Sequence, residues 1–173
     1  MTEDMPERAT RAFERHDAFE PRGDGYGVTT THFESRVVAA ETDDRAVEYT
    51  VTVRAPMLRN AVADDAVGPA VEEGWFDTYR LRLEDATMAT RADVDLDEYD
   101  VTEERGEAVA RFVFRYGNAD HAPDVVKAVA EFVEGTYVEG VVPGYEYRGT
   151  VAELLGEARQ SGGDDGTNSP MPL

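Results

Sequence analysis

The stretch VEYTVTVRAP, residues 47–56, decides the fold. Val47, Tyr49, Val51, Val53 and Ala55 alternate with Glu48, Thr50, Thr52 and Arg54. A period of two puts the apolar set on one face of a strand and the polar set on the other. Such a strand belongs to a sheet with one face in a core and one in water, as antiparallel sheets commonly have. Pro56 closes it, because proline has no N–H for a ladder.

The flanks extend the sheet. Upstream, Phe33 to Glu41 places Phe33, Ser35, Val37 and Ala39 on one face, and TDD at 42–44 turns the chain into 47–56. A short strand, Tyr26 to Thr30, precedes it. Downstream, YDVTEERGEAVARFVFRYG, residues 99–117, reads as a hairpin turning near Arg105–Gly106. Ala108, Ala110, Phe112, Phe114 and Tyr116 line its core face.

Helical spacing appears on either side. Residues 6–19 carry Ala9, Ala12, Phe13, His16 and Phe19 at steps of three and four, and EPRGDG at 20–25 ends the run. A second helix is expected over 65–86, capped by Asp64 or Asp65, with Val67, Val71, Trp75 and Tyr79 on one stripe. Its rival is a strand at 78–84 that turns Tyr79, Leu81 and Leu83 inward. NADHAPDVVKAVAEFVEGTY, 118–137, predicts a third helix with Asp120 as cap and Pro123 in the first turn. A glycine- and tyrosine-rich connection, GVVPGYEYRG at 140–149, leads to a short last helix over Thr150–Gln160. From Ser161 the composition predicts a disordered acidic tail to residue 173. The expectation is one α+β domain over 1–160. It has a five-stranded antiparallel sheet with helices packed on one face, in the order α-β-β-β-α-β-β-α plus a short C-terminal helix.

Composition narrows the setting. The chain has 173 residues, 37 Asp plus Glu and 17 Lys plus Arg, for a formal charge of −20. Lys127 is the only lysine, and isoleucine and cysteine are absent. Self-repulsion on this scale costs stability in dilute buffer and fades near 1 M salt, where the Debye length is about 3 Å. Arginine in place of lysine agrees with such a setting, because it is less tightly hydrated. These traits look like those of a haloarchaeal cytoplasmic protein. The N-terminus is charged from residue 3 and shows no secretion signal, and no apolar run approaches a membrane span. Without cysteine there is no disulfide, thiol nucleophile or thiolate metal site. The acidic surface opposes nucleic acid as a partner.

Motifs of chemistry are scarce. No phosphate-binding loop, zinc-protease motif or serine-hydrolase elbow occurs. GDGYG, 23–27, follows a helix and precedes a strand, the wrong order for cradling a phosphate. DVDLDEYDVTEE, 93–104, has acids at calcium-loop positions 1, 3, 5 and 12, but Glu98 stands where the loop needs glycine. It reads as a solvated edge segment. The three histidines lie in different elements, so neither a metal nor any other cofactor is expected. The better lead is aromatic. Trp75, Tyr137, Tyr145 and Tyr147, with Arg148 and the stripe histidine His16, are the candidate binding or interface residues, since aromatics and arginine dominate interface hot spots.

Two segments carry a resemblance. VEEGWFDTYRLRLEDA, 71–86, and EFVEGTYVEGVVPGYEYRG, 131–149, resemble an uncharacterised haloarchaeal family, a domain of unknown function. It implies a halophilic source and brings no catalytic residues. The element order is similar to that of type III secretion chaperones. The leading expectation is a non-enzymatic, chaperone- or adaptor-like module that holds a protein partner or a second copy of itself. The alternative is a small-molecule-binding protein or small enzyme with a pocket built from Trp75, Tyr145, Tyr147, Arg148 and His16.

Overall fold

The computed structural model describes residues 5–63 and 66–167, with side chains described as far as Gln160. In chain order the elements are α1 (Glu7–Arg15), β1 (Phe19–Arg22), β2 (Gly25–Val28), β3 (Glu34–Glu41), β4 (Val47–Pro56), α2 (Leu58–Ala61), α3 (Pro69–Leu83), a 3₁₀ turn (Ala86–Ala89), β5 (Leu96–Glu104), β6 (Glu107–Tyr116), α4 (Ala122–Glu139) and α5 (Gly149–Thr167). The strands form one antiparallel sheet in the order β1-β2-β3-β4-β6-β5.

The alternation in 47–56 sits at the centre of that sheet. β4 pairs with β3 from Glu41↔Val47 to Glu34↔Arg54, and with β6 from Val47↔Tyr116 to Pro56↔Glu107. Val47, Tyr49, Val51, Val53 and Ala55 are buried, and the residues between them are half-buried. The inward row continues through Val37 and Ala39 of β3 and Ala108, Ala110, Phe112 and Phe114 of β6. The helices cover this face. Phe13 of α1 stacks on Tyr26 and meets the edge of Tyr49. Tyr137 of α4 packs on Phe33 and donates its hydroxyl to the Pro56 carbonyl at 2.8 Å. α3 lays Trp75 and Tyr79 against Tyr137, and Tyr99 of β5 donates to the Arg80 carbonyl on α3.

Among the described residues no helix covers the opposite face, which is rich in arginine. Cross-strand neighbours there are Arg36, Thr52, Arg111 and Asp100 in one row, and Glu48 beside Arg115 in another. Arg111 pairs with Glu98, Arg54 with Glu104, Arg115 with Asp97, and Arg36 with Asp24. Arg59 on α2 adds contacts to Glu72 and Glu103. The acidic 93–104 stretch is therefore edge strand β5 over most of its length. Asp97, Glu98, Glu103 and Glu104 turn toward arginines of the neighbouring elements. It is not the helix-flanked loop that calcium coordination requires.

The sheet has six strands, not five. The extra one is β1, which hairpins with β2 across Gly23 and Asp24 where a helix end and a stop were expected. Gly23 takes φ 57°, which a tight turn needs. The pair is hard to see in sequence because Gly25 and Gly27 break the alternation. Gly25 is required there, since a Cβ would stand 2.0 Å from the Val37 carbonyl oxygen. The first helix accordingly ends at Arg15 and not at residue 19. The 65–86 segment is helical over Pro69–Leu83, which removes the rival strand. The expected cap residues Asp64 and Asp65 lie outside the described residues, and Gly68 holds the N-cap position. His121, not Asp120, precedes α4. The short α2 was not expected. The tail expected over 161–173 overlaps the end of α5 and then lies outside the described residues.

Among the described residues, two buried hydroxyls, Tyr49 and Tyr79, lack a hydrogen-bond partner. Burial pushes the Tyr49 phenol up to about 12, with Arg8 opposing and Glu41 adding. Its neutral form is favoured in the folded chain. Up to the unfolded value, near 10, the phenol is neutral in both states; above it the unfolded chain ionises first and stability falls until about pH 12. Tyr49→Phe removes an orphaned donor without changing the packing. It should raise unfolding free energy by about 1 kcal/mol and flatten the alkaline loss in denaturant titrations. A less stable variant with the same alkaline slope would show that the hydroxyl is satisfied.

Candidate functional site

The six candidate residues fall into three places. Trp75 and Tyr137 are in the core. Trp75 stacks on Tyr79 with ring centroids 5.4 Å apart and meets Tyr137 edge-on at the same distance. Burial drives the phenols of Tyr79 and Tyr137 far up, so neither serves as an acid or base near neutrality. Their common role is to join α3 and α4 over the sheet.

His16 sits at the other end of the domain, as the C-cap of α1. Its Nδ1 accepts the Ala18 N–H at 3.1 Å, which leaves the proton on Nε2 to donate to Asp124 Oδ1 at 2.7 Å. Its ring edge packs on Phe19. The histidine ties the α1 terminus to the first turn of α4.

Tyr145, Tyr147 and Arg148 do come together, in the connection between α4 and α5. The connection is not loose. Ala63 N–H donates to the Glu146 carbonyl at 2.7 Å, and Arg148 N–H to the Ala61 carbonyl at 2.8 Å, with Val62 and Tyr147 bridged between them. Arg148 Nε reaches the Asn60 carbonyl at 3.3 Å. The Tyr147 hydroxyl both accepts the Val142 N–H and donates to the Val142 carbonyl, each at 2.8 Å. Desolvation pushes the Tyr147 phenol up, and the backbone bond opposes this. The segment after β4, with α2, and the Gly/Tyr connection thus form a small ribbon beside the sheet. No signal in the sequence paired them, because their partners lie more than eighty positions apart.

This ribbon and α5 enclose a groove of about 500 Å³. Gly144, Tyr145, Glu146 and Tyr147 of the connection line one side, and Ala152, Leu155, Gly156 and Arg159 of α5 line the other, so the lining is mixed polar and apolar. A Cβ on Gly156 would touch nothing within 4 Å, so a side chain has room at that position. A second cleft, about 440 Å³, lies across the start of α5 and is lined by His32, Glu34, Arg54, Asn60, Glu107 and Arg148. Tyr145 and Tyr147 thus open on one groove and Arg148 on the other cleft, while Trp75, Tyr137 and His16 line neither. The cleft residues His32 and Arg54 were missed in the sequence, where each stands alone among unlike neighbours.

Among the described residues, no group of three or more His, Asp or Glu side chains is placed to hold a metal ion. No described helix is long and apolar enough to cross a membrane.

Residues 14–157 match a protein family described as "Family of unknown function (DUF5813)". No curated protein and no solved structure matches the chain.

The Tyr147 hydroxyl tests how the groove wall is held. Tyr147→Phe should cost about 1 kcal/mol of local stability and speed amide exchange at Val142 by roughly fivefold. Unchanged protection at Val142 would show that the connection is fixed by other contacts.

Proposed function

We propose that this chain, which belongs to the DUF5813 family of unknown function, is a protein-binding module that grips an apolar or aromatic side chain of a partner polypeptide in the groove between the Gly/Tyr connection and α5. The observation that carries this reading is the groove's construction: Tyr145, Tyr147 and Leu155 beside the small residues Ala152 and Gly156, on a segment tied down by backbone bonds. A preorganised aromatic slot loses little entropy on binding, which is how hot spots gain their energy. Tyr147 contributes its ring alone, because its hydroxyl is already satisfied within the connection. Glu146 and Arg159 add one charge of each sign to the lining and offer polar contacts to the partner's backbone.

The setting we propose is the cytoplasm of a halophile. Support comes from the charge of −20 and from the arginines of the bare sheet face, each set beside a carboxylate. A partner in molar salt is held better by apolar contact than by exposed charge, which salt screens. That agrees with an aromatic groove as the gripping surface. The pocket built from Trp75 and His16 as well as the tyrosines has no support in the geometry, since those two residues are engaged elsewhere.

Peptide-display selection in molar KCl tests the reading. Wild-type protein should enrich peptides that share an apolar or aromatic anchor. Gly156→Trp adds a large ring at a lining position where a side chain has room, and it removes a helix-weakening glycine. It should weaken the enriched peptides by about tenfold or more. Equal binding to both proteins, or no enrichment, would remove the groove as the site.

A further inference from the structure

The outward face of the sheet carries a row of residues that complements itself. Arg22 of β1 pairs with Gly25 of β2, Val38 of β3 with Thr50 of β4, and Thr50 with Val113 of β6, which lies beside Glu98 of β5. Gly25 and Val38 join the two halves, since a Cβ on Gly25 would stand 3.0 Å from a Val38 methyl. These positions alternate with the inward row and so face away from the helices. The row crosses all six strands, with a cation at one end, a carboxylate at the other and only uncharged residues between them. Val38 and Thr50 are half-buried and Val113 is buried, although among the described residues no helix lies over them. Their cover is the stems of long side chains alongside, those of Arg36, Arg111 and Arg115.

We propose that this face binds a second copy of the chain, sheet against sheet, about a two-fold axis that runs along the strands between β3 and β4. Charge is the first reason for that occupant. Rotation about such an axis keeps each row in place and exchanges its ends, so Arg22 of either copy meets Glu98 of the other. In the middle, Val38 of one copy meets Thr50 of the other, and Gly25 meets Val113. Each end charge already has a partner in its own sheet, Glu20 for Arg22 and Arg111 for Glu98. The contact therefore extends an ion-pair network and leaves no lone charge. Sheet twist offsets the facing strands, and the long arginine and glutamate arms span that offset.

Area is the second reason. β3 to β6 are eight to ten residues long, and β1 and β2 are four each. At a spacing of about 4.8 Å and a rise of about 3.3 Å per residue, the face offers roughly 700 Å² per copy. Both copies together bury about 1,400 Å², which lies in the range of stable, specific interfaces. The neighbouring row opposes association. It runs from Glu20 through Arg36, Thr52 and Arg111 to Asp100, so its acidic ends face each other across the axis. With −20 on each chain, association needs salt to screen the repulsion, while pairs closed within the contact are screened less. The groove takes no part, since none of its lining residues lies on this face.

Sedimentation equilibrium at increasing KCl tests the proposal. Wild type should sediment at twice the chain mass of 19.1 kDa in molar KCl and shift toward monomer at lower salt. Thr50→Glu sets a charge at the centre of the row, in a half-buried outward position, and should give a monomer with an unchanged circular dichroism spectrum. Arg22→Glu and Glu98→Arg should each weaken the dimer by about tenfold, and the variant carrying both should recover most of that loss. The two residues stand at opposite edges of one sheet, about 24 Å apart, so recovery reports contact between chains. A wild-type monomer in molar salt, a dimer indifferent to Thr50→Glu, or a double variant no better than the single ones would overturn the proposal. So would a dimer that Gly156→Trp abolishes, because the second copy would then sit in the groove. Peptide capture is read on that other surface, so loss of either reading leaves the other standing.

Discussion

Everything in this domain leans on the pairing of β4 with β6. The two strands run side by side from Val47↔Tyr116 to Pro56↔Glu107 without a break. That register sets Tyr49 against Phe114 and Val51 against Phe112, so both strands turn their apolar sets the same way. Shifting it by one residue would send every one of those side chains into water. The helices have a floor to sit on only because the register holds. The Pro56 carbonyl, freed at the end of β4, receives the Tyr137 hydroxyl and so fixes α4 along the strand.

The same register organises the charge. With 37 acids against 17 cations, repulsion is the main opponent of the fold in dilute salt. The bare sheet face answers it locally. Arg111 and Arg115 on β6 reach Glu98 and Asp97 on β5, and Arg54 on β4 reaches Glu104. These side chains are half-exposed, so each pair is worth about 0.2–1 kcal/mol at most. Their use is positional. They let an acidic edge strand lie against the sheet, while its surplus carboxylates discourage further strands from adding there.

What could be read from the residues follows from the range of each signal. Alternation is local, so 33–41, 47–56 and the hairpin at 105–106 were legible. Periodicity separated helix from strand at 69–83, because Trp75, Tyr79 and Leu83 recur at fours and are the buried positions of α3. β1 and β2 were not legible as a pair, since four-residue strands containing two glycines carry no pattern. At the candidate site, Tyr145 and Tyr147 stood out by type. His32 and Glu134 did not, because a histidine in a loop and a glutamate on a helix have no significance until the fold brings them together across a hundred residues.

The sequence by itself determined the class of the domain, the central strands, the face that is buried and the acidic character of the surface. Each of these depends on neighbours within a few positions or on totals. The tertiary structure alone decided which aromatics are core and which line a groove. It also decided where the acidic stretch places its charge and that His16 ties α1 to α4. Those outcomes depend on distances between segments far apart in the chain. Only the packing of α3 on α4, and of α5 on α2 and α4, sets them: it buries Trp75 and Tyr137, and it leaves Tyr145 and Tyr147 at an opening.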